Sequence, residues 1–139
     1  MPMTDEHRTL EELEGYDSGD PETAPTAMVA RCIRLQKIPL HELNESDLRL
    51  LIGQHIGLKY LVPKALVRLT LLPLLQTDYF RGDLLNVLLR IGPDYWVQNP
   101  KEHDCLRLIA KSVAREYGEI VRDCENFLAT DHADKQTSH

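Results

Sequence analysis

Apolar residues recur along this chain at intervals of three and four, the spacing of one face of an α-helix. The alternation of apolar and polar residues that is typical of a half-buried strand is not sustained anywhere. Leucine is abundant, and proline and glycine fall between the apolar runs, where they mark the joints. The pattern therefore predicts an all-α protein, a single compact bundle of about five to seven helices with a long C-terminal helix.

Capping signals and helix breakers divide the first third of the chain. Thr9 and Glu12 form a capping-box pattern that opens a short acidic helix, and the segment 14–25 is predicted to be a loop. A second helix is predicted over about 26–37. Asn44 is the expected N-cap of a third helix.

The third helix is predicted to continue through Gly53 and Gly57, which would share one face because they are four residues apart. We expect these glycines to let a neighbouring helix approach closely, which offsets the roughly 1 kcal/mol that each costs in a helix interior. Pro63 is predicted to break or kink this helix and to serve as the first residue of the next. Asp83 is expected to cap a helix over 84–91.

Asn99-Pro100 is predicted to open the long C-terminal helix. An amphipathic stripe runs over six of its turns, formed by Leu106, Ile109, Val113, Tyr117, Ile120, Cys124 and Phe127. We expect residues 1–139 to form one domain, with an ordered core over about 9–128 and a frayed tail over 129–139.

The formal net charge is −6, and the acidity is concentrated near the N-terminus. Residues 1–25 hold eight acids and one base, whereas residues 26–139 hold 14 acids and 15 bases. Such a patch attracts a basic partner and speeds encounter, although a solvated terminus without a partner is an alternative interpretation. The absence of a basic stripe argues against direct nucleic-acid binding, and no run approaches the ~20 apolar residues that span a bilayer.

Residues that could carry chemistry are sparse. The histidines form no zinc-binding spacing, and Cys105 lies two residues from His103 without a further ligand nearby. The sequence holds no Gly-rich phosphate loop and no GxSxG elbow, so we expect no metal, no cofactor and no catalytic residue. The three cysteines form no CxxC pair, which favours reduced thiols and a cytoplasmic protein.

Several stretches resemble one known family. They are DLRLLIGQHIGLKYLVPKAL (47–66), GDLLNVLLRI (82–91) and YWVQNP (95–100), with EGYDSGDP and RLQKIPL in the positions that the family's pattern expects. Together they resemble the immunity proteins of contact-dependent growth inhibition systems, over roughly residues 9–100. The long C-terminal helix lies outside this resemblance.

The resemblance implies a cytoplasmic immunity protein that binds a cognate toxin domain and neutralises it by stoichiometric occlusion. Many such toxins are nucleases, which implies a basic partner and fits the acidic N-terminal segment. Four residues are expected to support the fold rather than to contact the toxin, namely Gly53, Gly57, Pro63 and Asp83. The residues expected to contact the toxin are Glu11, Glu12, Glu14, Tyr16, Asp17, Asp20, Tyr79, Phe80 and Arg81.

Two other functions stay open at this point. One is a helical adaptor unrelated to toxins, whose partner would bind an apolar surface near Tyr79, Phe80 and Trp96. The other is a small enzyme that uses His55 or Cys105. The enzyme requires a pocket that holds a titratable group with a perturbed pKa.

Overall fold

Seven α-helices and no strand make up the part of the chain that the structure describes. The computed structural model describes residues 2–137, with side chains over residues 5–130. The helices are α1 (Leu10–Glu14), α2 (Ala27–Leu35), α3 (Glu45–Gly53), α4 (Leu58–Leu71), α5 (Asp83–Leu89), α6 (Pro93–Gln98) and α7 (Pro100–Thr137). Short 3₁₀ turns occur at Pro2–His7, Pro21–Thr23 and Leu40–Glu42. The predicted all-α fold with its long C-terminal helix is confirmed.

The core is built from leucine side chains of α3, α4 and α5. Those with no exposed surface are Leu48, Leu51, Leu61, Leu69, Leu84 and Leu88. Helix α3 packs against both α4 and α5, and α7 packs against α4 and α6. Each fully buried leucine stabilises the fold by about 1.5–3 kcal/mol relative to an exposed one, so this central contact holds the bundle together.

Side-chain caps begin the first three helices where the sequence predicts them. The Thr9 hydroxyl accepts from the amide of Glu12 at 3.1 Å, and the Glu12 carboxylate accepts from the amide of Thr9 at 3.1 Å. Asn44 and Asp47 form the same reciprocal pair at the start of α3. Thr26 caps α2 with its hydroxyl. These caps satisfy amides that a helix start leaves without partners.

The stretch from Gly53 to Gly57 is a joint between two helices, so the prediction of one continuous helix is wrong. Helix α3 ends at Gly53, and α4 begins at Leu58. The backbone is left-handed at His55, with φ of 60°, and at Gly57, with φ of 65°. Left-handed residues cannot continue a right-handed helix, and the chain therefore turns here.

The two glycines of the joint have different surroundings. A Cβ atom at Gly57 would lie 2.7 and 2.8 Å from the two Cδ atoms of Leu10, which is fully buried. A Cβ atom at Gly53 would lie 3.6 Å from Val87 Cγ1, an ordinary van der Waals contact. Close approach therefore occurs at Gly57, and the neighbour is the short helix α1.

Pro63 lies inside α4, so the prediction that it opens a helix is wrong. Because proline has no amide hydrogen, α4 lacks the bond to the carbonyl of Lys59. Leu61, Val62 and Leu66 are buried on both sides of the proline. Their packing holds the helix together through this position.

The apolar stripe of α7 is buried only in its first part. Leu106 and Ile109 lie in the core, and Val113 packs at its edge. Every residue over 114–130 except Gly118 is exposed. At about 1.5 Å per residue, α7 therefore extends roughly 25 Å past the packed bundle.

The C-terminal end of α7 is described only in part. Its backbone is helical to Thr137, whereas residues 138 and 139 and the side chains of residues 131–139 lie outside the described part. The fraying of residues 129–139 stays a prediction. Although α7 has 38 residues, no helix within the described range has both the length and the apolar character to cross a membrane.

Gly57→Ala is expected to lower the free energy of unfolding by about 1–3 kcal/mol, because its methyl group would occupy a left-handed position and collide with Leu10. Gly53→Ala is the matched control, since its methyl group has room beside Val87. Alanine favours a helix more than glycine, so this variant should match the parent or gain up to about 1 kcal/mol. Urea unfolding measures both values, and equal losses would contradict a special role for Gly57.

Candidate functional site

The acidic segment, residues 9–24, is folded against the end of α2. The Nζ atom of Lys37 lies 2.8 Å from Oε2 of Glu11. Ser18 donates to the same carboxylate oxygen from its amide and its hydroxyl, at 2.8 and 2.5 Å. The hydrogen bonds from Lys37 and Ser18 lower the pKa of Glu11 to about 2. Glu11 therefore holds the segment in shape.

The other predicted acids of the segment differ in how they are used. Glu12 closes the capping box of α1. Asp17 and Asp20 each accept from the backbone amide two residues ahead at 2.9 Å, and both are exposed. Glu14 is exposed and forms no hydrogen bond or ion pair with any other described side chain. Asp17 Oδ1 also lies 3.4 Å from Nζ of Lys37. The carboxylates with an oxygen still open to a partner thus include those of Glu14, Asp17 and Asp20.

Tyr16 anchors the acidic segment on α2. Its hydroxyl donates to Oε1 of Gln36, whose side chain is buried. Burial, followed by the charges of Glu14 and Glu11, raises the pKa of Tyr16. The phenol therefore keeps its proton and this hydrogen bond at neutral pH, while part of the ring faces solvent.

The connector, residues 72–82, is held by the carboxylate of Asp83. The residue before Asp83 is the N-cap of α5, so the prediction that Asp83 caps this helix is wrong. Its oxygens point back and accept from the amides of Thr77, Asp78 and Tyr79 and from the Thr77 hydroxyl, at 2.7–3.0 Å. Burial alone would raise the pKa of Asp83, but these four bonds outweigh burial and lower it to about 2.

Two aromatic side chains project from the connector. Tyr79 is 70% exposed and Phe80 is 50% exposed, and Arg81 beside them is also exposed. The guanidinium carbon of Arg49 lies 4.6 Å from the centroid of the Tyr79 ring, and its Nη2 lies 3.3 Å from Oδ2 of Asp78. These contacts fix the exposed Tyr79 ring before any partner arrives.

A chain of polar contacts along α2 and α3 links the acidic segment to the connector. Arg34 of α2 lies 3.3 Å from Glu22. One turn earlier on α2, Arg31 donates to the hydroxyl of Ser46 at 3.2 Å. Ser46 in turn donates to Asp78 at 2.5 Å. The acidic segment and the connector therefore both make polar contacts with the surface of α2 and α3, through arginines that lie one turn apart on α2.

Sequence reasoning misses three residues of this surface. The three are Arg31 of α2 and Ser46 and Arg49 in the first part of α3, where the sequence predicts helix but no local pattern marks them. Their partners are 15 to 32 positions away along the chain. The only signal available in the sequence is their position on the polar faces of α2 and α3.

A polar cavity of about 390 Å³ lies where α1, the joint and α6 meet. Its polar lining is Glu14, His55, Lys59, Tyr95, Gln98 and Asn99. The Tyr95 hydroxyl donates to the carbonyl of Leu58 at 3.3 Å. Burial, followed by the charge of Glu102, raises the pKa of Tyr95 to about 12. The Tyr95 hydroxyl is therefore protonated at neutral pH and donates a hydrogen bond. It is not activated as a nucleophile or base.

The remaining sequence candidates lie within the packed bundle. Trp96 is buried, and its Nε1 donates to the carbonyl of Ile91 at 3.1 Å. Trp96 therefore adds no exposed aromatic surface to the one on which the alternative of a helical adaptor depends. Cys105 is a free, half-buried thiol. Over the described residues, no three histidine, cysteine, aspartate or glutamate side chains are placed to hold a metal ion.

The family model of CDI immunity proteins, where CDI is contact-dependent growth inhibition, matches residues 12–106 of the 139. The chain belongs to this family. The match begins within the acidic segment, spans the joint and the connector, and ends within α7. No curated protein and no solved structure is significantly similar to the chain. As a CDI immunity protein, it neutralises the cognate toxin of a CDI system.

The order of the connector is expected to depend on ionised Asp83. Because the folded-state pKa is lowered to about 2, the stabilisation is complete above the ordinary value of ~3.9 and is lost as pH falls through 2. The amide resonances of Thr77, Asp78 and Tyr79 should therefore titrate with an apparent pKa of about 2. Asp83→Asn should lower the free energy of unfolding at pH 7 by about 1–3 kcal/mol.

The control for this prediction is Asp94→Asn, which removes an exposed carboxylate from the first turn of α6. It should leave both stability and the connector resonances unchanged. Titration of the three amides near pH 4, or parent-like stability of Asp83→Asn, would contradict the role assigned to Asp83.

Proposed function

We propose that this CDI immunity protein neutralises a nuclease toxin in the cytoplasm by binding it one-to-one and covering its active site. A nuclease holds phosphates in a basic cleft, and an acidic protein surface can occupy that cleft in place of nucleic acid. The observation that carries the proposal is the acidic segment. Its exposed carboxylates lie on turns that are held in shape by the contacts of Glu11 with Lys37 and with the amide of Ser18. No turnover and no cofactor are needed for such inhibition.

Within the segment, Glu14, Asp17 and Asp20 are the charges that face the toxin. Asp17 and Asp20 use one oxygen each to hold a turn, and the same oxygen of Asp17 also pairs with Lys37 at 3.4 Å. The second oxygen of each carboxylate is left for a lysine or arginine of the partner. Glu11 and Glu12 support these residues from inside the segment. Exposed ion pairs are worth about 1 kcal/mol or less each, so the fixed array mainly speeds encounter.

The connector supplies the apolar part of the interface. Tyr79 and Phe80 are the type of large side chain that dominates binding energy at protein interfaces. Arg49 and Asp83 already hold the connector in place, so little conformational entropy is lost when it binds. Arg81 lies beside the aromatic pair and belongs to the polar rim.

The cognate toxin domain, purified and assayed on RNA and DNA, is expected to lose nuclease activity in proportion to added immunity protein, with none left at one equivalent. Covering of the cleft also predicts that the complex no longer binds a labelled oligonucleotide in fluorescence anisotropy. A toxin domain that cleaves neither nucleic acid would contradict the nuclease assignment. A stable ternary complex with the oligonucleotide would contradict the covering of the active site.

The two parts of the interface should affect different rate constants. Asp17→Asn with Asp20→Asn keeps both turn hydrogen bonds, because asparagine caps as well as aspartate. This variant should associate with the toxin domain several-fold more slowly at low salt and show a weaker salt dependence. Tyr79→Ala with Phe80→Ala should mainly raise the dissociation rate constant, by about tenfold or more.

Matched controls come from surfaces outside the proposed interface. Asp94→Asn with Asp104→Asn removes the same charge from α6 and α7 and should leave the association rate within about twofold. Val97→Ala truncates a side chain of α6 that is 78% exposed and should leave the dissociation rate unchanged. If both interface variants fold normally and bind with the rate constants of the parent, the interface lies elsewhere.

A further inference from the structure

An exposed apolar strip runs along α7 beyond its packed part. Its members are Tyr117, Ile120, Val121, Cys124, Phe127 and Leu128. Ile120, Phe127 and Leu128 are 61, 69 and 62% exposed. A contiguous apolar surface of this kind marks a contact site in a soluble protein. The strip begins after residue 106 and so lies outside the region that matches the family.

The spacing within the strip suits a helical partner. From Tyr117 through Ile120 and Cys124 to Phe127, the intervals are three, four and three residues. This is the period of a seam at which one helix packs lengthwise on another. The partner surface should therefore be an elongated apolar ridge.

The charges around the strip have one sign. By the helical period, Glu116 and Asp123 lie along one edge and Glu125 lies beyond the other edge. Arg115 and Arg122 fall on the opposite face of α7. A ridge flanked by lysine or arginine would match both the apolar strip and its acidic rim.

A second copy of the strip fits this arrangement poorly. In an antiparallel pair, Glu116 of one copy would lie beside Asp123 of the other, and like charges in that position repel. In a parallel pair, the same carboxylates would lie against Val121 and Leu128 and lose their water. The acidic rim therefore favours a basic partner over self-association.

We propose that the strip binds a basic amphipathic helix of the cognate toxin protein, as a contact additional to the acidic segment and the connector. The inference rests on the proposed function, because the toxin is the partner in both. The strip lies on the part of α7 beyond the family match, and its residues can vary without disturbing the buried core. It is therefore placed to discriminate between toxins.

The first test removes the apolar character of the strip. Ile120→Glu with Phe127→Glu is expected to raise the Kd for the toxin protein about tenfold or more. Leu108→Glu is the matched control, because Leu108 is an exposed leucine of α7 on the face away from the strip. It should bind like the parent. Circular dichroism and urea midpoints should be the same for all three proteins, since the changed side chains are exposed.

The second test reverses the charge of the rim. Glu116→Lys with Asp123→Lys is expected to raise the Kd and to weaken its salt dependence. Arg115→Glu with Arg122→Glu, on the opposite face, should bind at least as tightly as the parent. The opposed effects of the two charge reversals identify a basic partner surface on the strip.

The outcomes separate this inference from the proposed function. If the parent binds the toxin and all strip and rim variants bind equally well, the inference is overturned and the proposed function stands. If the parent itself does not bind the toxin, the inference and the proposed function are both overturned. If sedimentation equilibrium finds a dimer of the parent that Ile120→Glu with Phe127→Glu dissociates, the occupant is a second copy and the inference is overturned.

Discussion

The contact between Leu10 and Gly57 determines where the acidic segment lies. Leu10 is fully buried and rests on a backbone position without a side chain, so α1 can lie directly on the joint between α3 and α4. The amide of Glu11 donates to the carbonyl of Gln36 at 3.2 Å and ties the same helix to the end of α2. Helix α1 has only five residues and would not persist alone. Tertiary contacts therefore hold the acidic carboxylates in place.

Near the proposed interface, some charged side chains pair with other residues of this chain, whereas others remain exposed for a partner. Glu11 is already neutralised by Lys37, so pairing it with a toxin would exchange one ion pair for another and stabilise the complex little. Asp20 does not face this exchange, and Asp17 faces it less than Glu11 because it lies farther from Lys37, at 3.4 Å, and is exposed. On the connector, the guanidinium of Arg49 packs on the Tyr79 ring, and Tyr79 nevertheless stays largely exposed. In both segments, the internal contacts fix the shape and the external groups stay available, which lowers the entropic cost of binding.

The sequence predicts the starts of the first three helices and misses the joint for one physical reason. The caps at Thr9 and Asn44 act between residues three positions apart, so a local pattern contains both partners. At the joint, the apolar periodicity continues across a left-handed turn, and neither the conformation of His55 nor its exposure has a local signature. The roles of Asp83 and Arg49 depend in the same way on where another segment lies. The two segments of the proposed interface are visible in the sequence as a charge excess and an aromatic pair, whereas their contacts with α2 and α3 are not.

Helix α7 shows that the spacing of apolar residues identifies the apolar face of a helix but does not tell whether another helix covers that face. The same spacing of apolar residues places Ile109 in the core and Phe127 in solvent. Extending a packed helix by about five turns adds a surface without changing the buried core, because every residue over 114–130 except Gly118 is exposed. Substitutions there carry little cost in folding, so this surface can change while residues 12–106, which match the family, keep their packing. A binding surface placed on such an extension separates the requirement to fold from the requirement to discriminate.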